Sequence, residues 1–175
     1  MSKTMKGTLM TLIAGIAWGL SGACGQYLMA HGFTAIGLTT IRLVFSGAVL
    51  LLLAYLADQE KVKAFLTDRS SYLSLFLFAF LGLLMTQLTY LEAIDATNAG
   101  TATVLQYLCP IGVLAYSCVK DRVAPTVSEI FSMILAIAGT FLIATHGQLN
   151  QLAITPKGLA WGLVSAFAYA LYIIL

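Results

Sequence analysis

The segment "KGLAWGLVSAFAYALYIIL", from Lys157 to Leu175, decides the fold class because it is one long apolar run. No charged residue follows Lys157 within it. As a helix rising about 1.5 Å per residue, the part from Gly158 onward extends roughly 27 Å, close to the ~30 Å hydrocarbon core of a bilayer. The segment therefore predicts a membrane-spanning helix.

Five similar apolar segments precede it, at about 7–29, 34–56, 72–94, 99–119 and 127–145. The chain is 60% hydrophobic and 9% charged, whereas soluble domains have about 45–50% apolar and about 25% charged residues. The segments are longer than barrel strands and do not alternate in polarity. We therefore predict an all-α transmembrane protein, a polytopic helix bundle in contact with the lipid bilayer.

Positive charges predict the orientation of these segments. If the N-terminus is cytoplasmic, one side of the membrane holds Lys3, Lys6, Lys61, Lys63, Arg69, Lys120 and Arg122. Lys157 then lies outside, and Arg42 lies within a segment. Short cytoplasmic loops of membrane proteins are rich in Lys and Arg. We therefore expect a cytoplasmic N-terminus in the cell (inner or plasma) membrane.

Charge and cysteine usage argue against several other classes. The net charge of +2 comes without a basic run, so the sequence does not indicate nucleic-acid binding. The three cysteines, Cys24, Cys109 and Cys118, form no CxxC pair. They therefore indicate neither a metal site nor a disulfide framework, and no sequence pattern calls for a cofactor.

One short pattern raises the possibility of an enzyme. "GLSG", from Gly19 to Gly22, matches the G-x-S-G pattern around the serine of rhomboid-type intramembrane proteases. A nucleophilic Ser21 needs a histidine base within hydrogen-bond reach. The histidines are His31 and His146, both at predicted helix ends. Because the pattern is so short, we predict that the chain is not an enzyme.

The last segment resembles the first. "KGTLMTLIAGIAWGL", from Lys6, aligns with the segment from Lys157 so that Trp18 meets Tyr169. A rival alignment places the two "AWGL" stretches together and pairs Trp18 with Trp161. Five helices separate the two starts, so the second copy begins with opposite direction. This predicts an inverted repeat, a common construction of secondary transporters.

A family resemblance rests on "YLEAIDATNAGTATVLQYLCPIGVLAYS", residues 90–117. Its aromatic residue and alanine before a turn, its small-residue run and its Pro resemble the third-to-fourth helix region of the EamA domain of drug/metabolite transporters. Trp18, Arg42 and "IAGTFLIA" near the end of the fifth segment resemble the same family. Where the family often has a glutamate after the fourth helix, this chain has Asp121.

The resemblance implies a domain organisation. Family members usually carry ten helices in two repeats of five. Residues 1–147 then form a first EamA repeat, and 148–175 form an outer loop and the first helix of an incomplete second repeat. We therefore expect a truncated chain whose partner is the missing second repeat or a second copy.

The resemblance also implies a function, namely transport of small metabolites or drugs by alternating access, with export as the expected direction. The alternative is a membrane protein that does not transport, either a partner subunit or an inactive fragment. Both interpretations place the chain in the membrane. Only the first one requires a small-molecule substrate.

A first group of candidate substrate-binding residues surrounds Pro110, which removes a backbone donor and breaks a helix. Gln106 and Tyr107 lie one turn before it. Transporter sites lie beside broken helices near the midplane, so these side chains are candidates for hydrogen bonds to a solute. The alternative is a structural kink with Gln106 bonded to a neighbouring helix.

Further candidates lie inside other segments. Arg42 is about 12 Å from the outer end of the second segment. It is a candidate for attracting an anionic or zwitterionic solute, or it ties helices together, with Glu92 and Asp95 as possible partners. Trp18 lies mid-span and either stacks on substrate or packs against other helices. Two further candidates of the same kind are Gln87 and Tyr90.

Overall fold

The computed structural model describes residues 3–145, 148 and 155–175. Its regular elements are helical throughout this part of the chain. They are α1 (Lys3–Ala30), α2 (Ala35–Ala57), α3 (Gln59–Thr67), α4 (Ser71–Leu77), a π-helical segment (Phe78–Leu84), α5 (Met85–Ala96), α6 (Ala99–Gln106), α7 (Cys109–Asp121), α8 (Val127–Thr145) and α9 (Pro156–Ile174). The predicted outer loop after position 147 lies almost wholly outside the described residues.

Among the described residues, five helical stretches are long and apolar enough to cross a membrane. They are Thr4–Ala30, Ala35–Ala57, Tyr72–Ala96, Ala99–Asp121 and Pro156–Ile174. Helix α8 is also apolar, although its apolar stretch, Val127–Leu142, is shorter than the other five. The prediction of an all-α transmembrane helix bundle is confirmed.

The polar stretch after α2 contains a helix that the segment pattern did not indicate. Asp58 ends α2 and begins α3, where its carboxylate accepts a hydrogen bond from the backbone N–H of Lys61 at 3.1 Å. The Lys61 ammonium also lies 2.8 Å from this carboxylate. Acceptor side chains at a helix N-terminus satisfy donors that have no partner within the helix. Asp58 therefore fixes the point at which the chain leaves α2.

The predicted third segment is one continuous helix with a local irregularity. Helix α4, the π-helical segment and α5 follow one another without a break, and residues 78–84 form the wider π turns. Gly82 lies inside this segment, where a Cβ atom would come 3.0 Å from Cδ2 of Tyr172 on α9. The absent side chain lets the π-helical segment and α9 approach closely.

The predicted fourth segment is interrupted. Helix α6 ends at Gln106, and α7 begins at Cys109 with Pro110 in its first turn. Pro110 has no N–H to donate to the carbonyl of Gln106, and its ring crowds that turn. The helix therefore stops one turn before the proline.

Helix α9 lies at the centre of the bundle, packed along α5 and against α6, α7 and the π-helical segment. Four small residues recur every four positions on its buried face, namely Gly158, Gly162, Ala166 and Ala170. A Cβ atom on Gly162 would lie 2.7 Å from Cβ of Leu105 on α6. Small residues let helix backbones approach closely in membranes, so this face allows α9 to insert among its neighbours.

Helices α1 and α2 present large apolar side chains on their outer surfaces, as lipid-facing helices do. On α1, Gly15, Gly19 and Ala23 form a stripe of small residues, a pattern typical of close helix packing. Among the described residues, a Cβ atom on Gly15 or Gly19 would meet nothing within 4 Å, so none of the described helices packs closely against these two positions.

Candidate functional site

A cavity of about 280 Å³ lies between α1, the α6–α7 break and α9. Seven residues line it, namely Thr11, Ala14, Gly15, Trp18, Gln106, Tyr107 and Tyr169. None of these side chains carries a formal charge at neutral pH. The cavity therefore offers aromatic surface together with neutral hydrogen-bonding groups, in the middle of the apolar helices.

Gln106 is the buried polar residue of this cavity, with 3% of its surface exposed. Its Nε2 donates a hydrogen bond to Oγ of Ser165, at 2.9 Å, on the buried face of α9. Gln106 therefore bonds a neighbouring helix, as one interpretation expects, and it also lines the cavity. This bond uses the amide nitrogen of Gln106, so its side-chain oxygen can still accept a hydrogen bond.

Two aromatic rings are neighbours in the lining of the cavity. The ring centroids of Trp18 and Tyr169 are 6.2 Å apart, and their planes differ by 22°. A further ring, Tyr172, lies 6.1 Å from Tyr169 and 5.3 Å from Phe78 in the π-helical segment. The aromatic wall of the cavity therefore continues along α9.

Tyr90 and Gln87 lie on α5 and do not line this cavity. Thr103 donates its hydroxyl proton to the carbonyl of Ala99 at 2.6 Å. The hydroxyl of Tyr90 therefore donates to Oγ1 of Thr103, at 2.9 Å. Tyr90 is buried and joins α5 to α6, whereas Gln87 is half-buried on the same helix.

Arg42 connects α2 to α1. Its Nη2 donates to the backbone carbonyl of Ser21, and a Cβ atom on Gly25 would come within 2.9 Å of the same nitrogen. The predicted partners Glu92 and Asp95 do not pair with it. This geometry favours the interpretation in which Arg42 ties helices together.

Pro110 is exposed and lies away from the cavity that contains Trp18. It borders a separate open groove between α7 and α8, lined also by Leu114 and Glu129. Its contribution to the cavity is therefore indirect, through the end of α6 that it imposes. Of the seven predicted residues, the structure brings three together around one cavity, namely Trp18, Gln106 and Tyr107.

Four lining residues were not among the sequence candidates, namely Thr11, Ala14, Gly15 and Tyr169, and neither was Ser165, which bonds Gln106. Tyr169 is the position that aligns with Trp18 in the preferred register of the repeat. That alignment was the signal that could have identified it. Ser165 and Thr11 are common residues in apolar helices and carry no comparable signal.

The protease pattern gains no support from the described residues. Ser21 contributes its carbonyl to Arg42, and Nδ1 of His31 lies 2.8 Å from the carbonyl of Tyr27 on its own helix. His146 lies outside the described residues. Within the part of the chain that is described, no group of three or more His, Cys, Asp or Glu residues could hold a metal ion.

Comparison with known proteins extends the argument from geometry to family. Residues 5–145 match the EamA-like transporter family. The chain is 40% identical over 173 residues to the "Uncharacterized inner membrane transporter YicL" of Salmonella typhimurium strain LT2. This match covers 98% of the chain and 57% of the relative, so the chain spans little more than half the relative's length. No solved structure gives a significant match. The chain is thus a multi-pass membrane protein that belongs to the EamA-like transporter family, within the drug/metabolite transporter superfamily.

Proposed function

We propose that the chain transports small solutes across the membrane by alternating access around the cavity of Trp18, Gln106 and Tyr169, in the direction of export. The observation that carries the proposal is the position of this cavity. It lies mid-span, beside the α6–α7 break, and combines a buried amide with aromatic surface. Binding sites of secondary transporters are built in this way, beside discontinuous helices near the bilayer midplane.

The same proposal includes an inverted repeat in which α9 is the counterpart of α1. A two-fold axis brings equivalent residues face to face where it passes between two elements. Trp18 and Tyr169, equivalent in the preferred alignment, are ring neighbours. Trp161, the counterpart in the rival alignment, packs instead against a buried cluster that includes Leu91 and Ala102. The geometry therefore supports the first register.

We further propose a cytoplasmic N-terminus and a partner that completes the cavity, either a second repeat or a second copy. The orientation is supported by the Lys and Arg bias. The partner is supported by the open small-residue face of α1, since Gly15 and Gly19 align with Ala166 and Ala170, which are buried on α9.

Cysteine labelling tests alternating access without knowledge of the substrate. Thr11 lines the cavity and bonds only along its own helix, to the carbonyl of Gly7 at 3.0 Å. A Thr11→Cys variant, with Cys24, Cys109 and Cys118 replaced by Ala, is produced in the membrane of cells. A membrane-impermeant thiol reagent is then applied to intact cells, where it reaches the outer face, and separately to inverted membrane vesicles, where it reaches the cytoplasmic face.

The proposal expects Thr11→Cys to be labelled from both sides, because the cavity opens to each in turn. A Lys61→Cys variant on the exposed helix α3 is the matched control and should react from the cytoplasmic side only. Labelling of Thr11→Cys from one side alone would contradict alternating access. Labelling of Lys61→Cys from the outside would contradict the orientation.

A further inference from the structure

The cavity between α1 and α9 has a shape and a chemistry that select among solutes. Its volume of about 280 Å³ is nearly twice the roughly 150 Å³ of a cavity that binds benzene. The space therefore suits one ring with a small substituent, or two fused rings. It lies just below the range of about 300–1,000 Å³ that is typical of pockets for drug-sized ligands.

Two neighbouring rings indicate how such a solute is held. The centroids of Trp18 and Tyr169 lie 6.2 Å apart and their planes differ by 22°, which is the arrangement of an aromatic pair in contact. Both rings line the cavity. They therefore offer adjacent aromatic surface on which a flat ring can stack, whereas a puckered aliphatic ring makes poorer contact with such a surface.

The polar groups of the cavity select among solutes according to their charge. No side chain that lines it is charged, and the guanidinium of Arg42 is bound to the carbonyl of Ser21 instead. A solute ion would enter without a partner, which is costly in a low-dielectric site. The buried amide of Gln106 donates to Ser165 and keeps its oxygen as an acceptor, which suits an N–H group on the solute.

We propose that the substrates of this site are small, uncharged, planar ring compounds with an N–H group on one edge. The ring stacks on the aromatic surface formed by Trp18 and Tyr169, and the N–H donates to Oε1 of Gln106. The substrate class rests on the proposed transport function, because it describes the same cavity. Recognition of the substrate by this cavity can nevertheless be measured as binding, without a transport assay.

Three one-ring probes of similar size separate the parts of this proposal. Benzamide is flat, neutral and carries an N–H edge. Benzoate keeps the flat ring but adds a negative charge, and cyclohexanecarboxamide keeps the amide but loses planarity. Binding of each to the purified full chain in nanodiscs is measured by isothermal calorimetry, beside the quenching of tryptophan fluorescence.

We expect benzamide to bind at least tenfold more tightly than either of the other probes. Gln106→Leu should weaken benzamide binding about tenfold, and Trp18→Leu should weaken it and abolish most of the quenching. Gln87→Leu is the matched control, because Gln87 is also an amide on an apolar helix but does not line the cavity. It should leave the binding unchanged.

Equal binding of benzoate would overturn the charge selection, and equal binding of cyclohexanecarboxamide would overturn stacking. Failure of all three probes to bind would overturn the substrate class. These outcomes are distinct from failure of the transport proposal, since two-sided labelling of Thr11→Cys can succeed without any benzamide binding. Conversely, selective benzamide binding with one-sided labelling would retain the site and reject transport.

Discussion

Replacement of Gly162 by alanine tests whether close approach of α6 and α9 holds the cavity together. The added Cβ atom would lie 2.3 Å from Cδ1 and 2.7 Å from Cβ of Leu105. A rotation of the leucine side chain relieves the first clash but not the second, because Cβ is fixed to the backbone. Carbon atoms in contact lie about 3.5–4.0 Å apart, so the two helices must separate locally by about 0.8–1.3 Å.

That separation has two costs that can be estimated. Overpacking of a tight interface typically costs about 1–3 kcal/mol. For a protein of this size, each kcal/mol lowers the melting temperature by about 2–4 °C, so Gly162→Ala should melt roughly 2–12 °C below its control. The hydrogen bond from Gln106 to Ser165, now 2.9 Å, adjoins the same contact and would be stretched beyond its useful range.

The matched control is Gly47→Ala on α2, where a Cβ atom would meet nothing within 4 Å. Both variants gain the same intrinsic helix propensity, so their difference isolates the steric effect. Melting is followed by scanning fluorimetry in detergent. A second variant, Leu105→Ala in the Gly162→Ala background, should restore little stability, since it keeps the Cβ atom. Equal melting temperatures for Gly162→Ala and Gly47→Ala would refute the reasoning.

Three further outcomes are expected. Gly25→Ala should lower the melting temperature less than Gly162→Ala, because its Cβ atom would meet only the flexible ends of Arg42 and Leu91; an equal or larger drop in scanning fluorimetry would contradict this. Tyr90→Phe should cost about 0.6 kcal/mol, the average for hydrogen bonds between membrane helices. In a double-mutant cycle with Thr103→Val, that cost should disappear; additive losses would show that the two hydroxyls are not coupled. Hydrogen bonds from Lys61 lower the pKa of Asp58, so its carboxylate stabilises the start of α3 above the usual carboxyl pKa. This contribution should be lost as the pH falls through the lowered value. In that pH range, the rate of amide hydrogen exchange in α3, corrected for intrinsic rates, should rise in the native chain but not in the Asp58→Asn variant.

The membrane class and the limits of most helices were predictable from the sequence, because apolar runs of spanning length have few alternatives in lipid. The ends of α2 and α9 follow such runs closely. By contrast, α3 was not predicted, since its residues are polar and its existence depends on the cap supplied by Asp58. The π-helical segment was not predicted either, because no residue pattern distinguishes it from an α-helix.

The candidate site was predictable only in part. Trp18 and Gln106 stood out because aromatic and amide side chains are unusual in the middle of apolar helices. Which of these side chains share a cavity depends on helix rotation and packing, which one sequence does not specify. Arg42 shows this, since its charge was consistent with either a substrate contact or a tie between helices, and the structure turns it toward the carbonyl of Ser21.

The π-helical segment at Phe78–Leu84 has a consequence for how this chain tolerates length changes. Each π turn holds more residues than an α turn, because its hydrogen bonds span five residues instead of four. Loss of one residue elsewhere in a spanning helix rotates everything beyond it by about 100° and misdirects its side chains. Within residues 78–84, the same loss is absorbed when the π turns tighten to α. Deletion of Leu81 should therefore leave Tyr90 and the rest of α5 in place, whereas deletion of Leu88 should not.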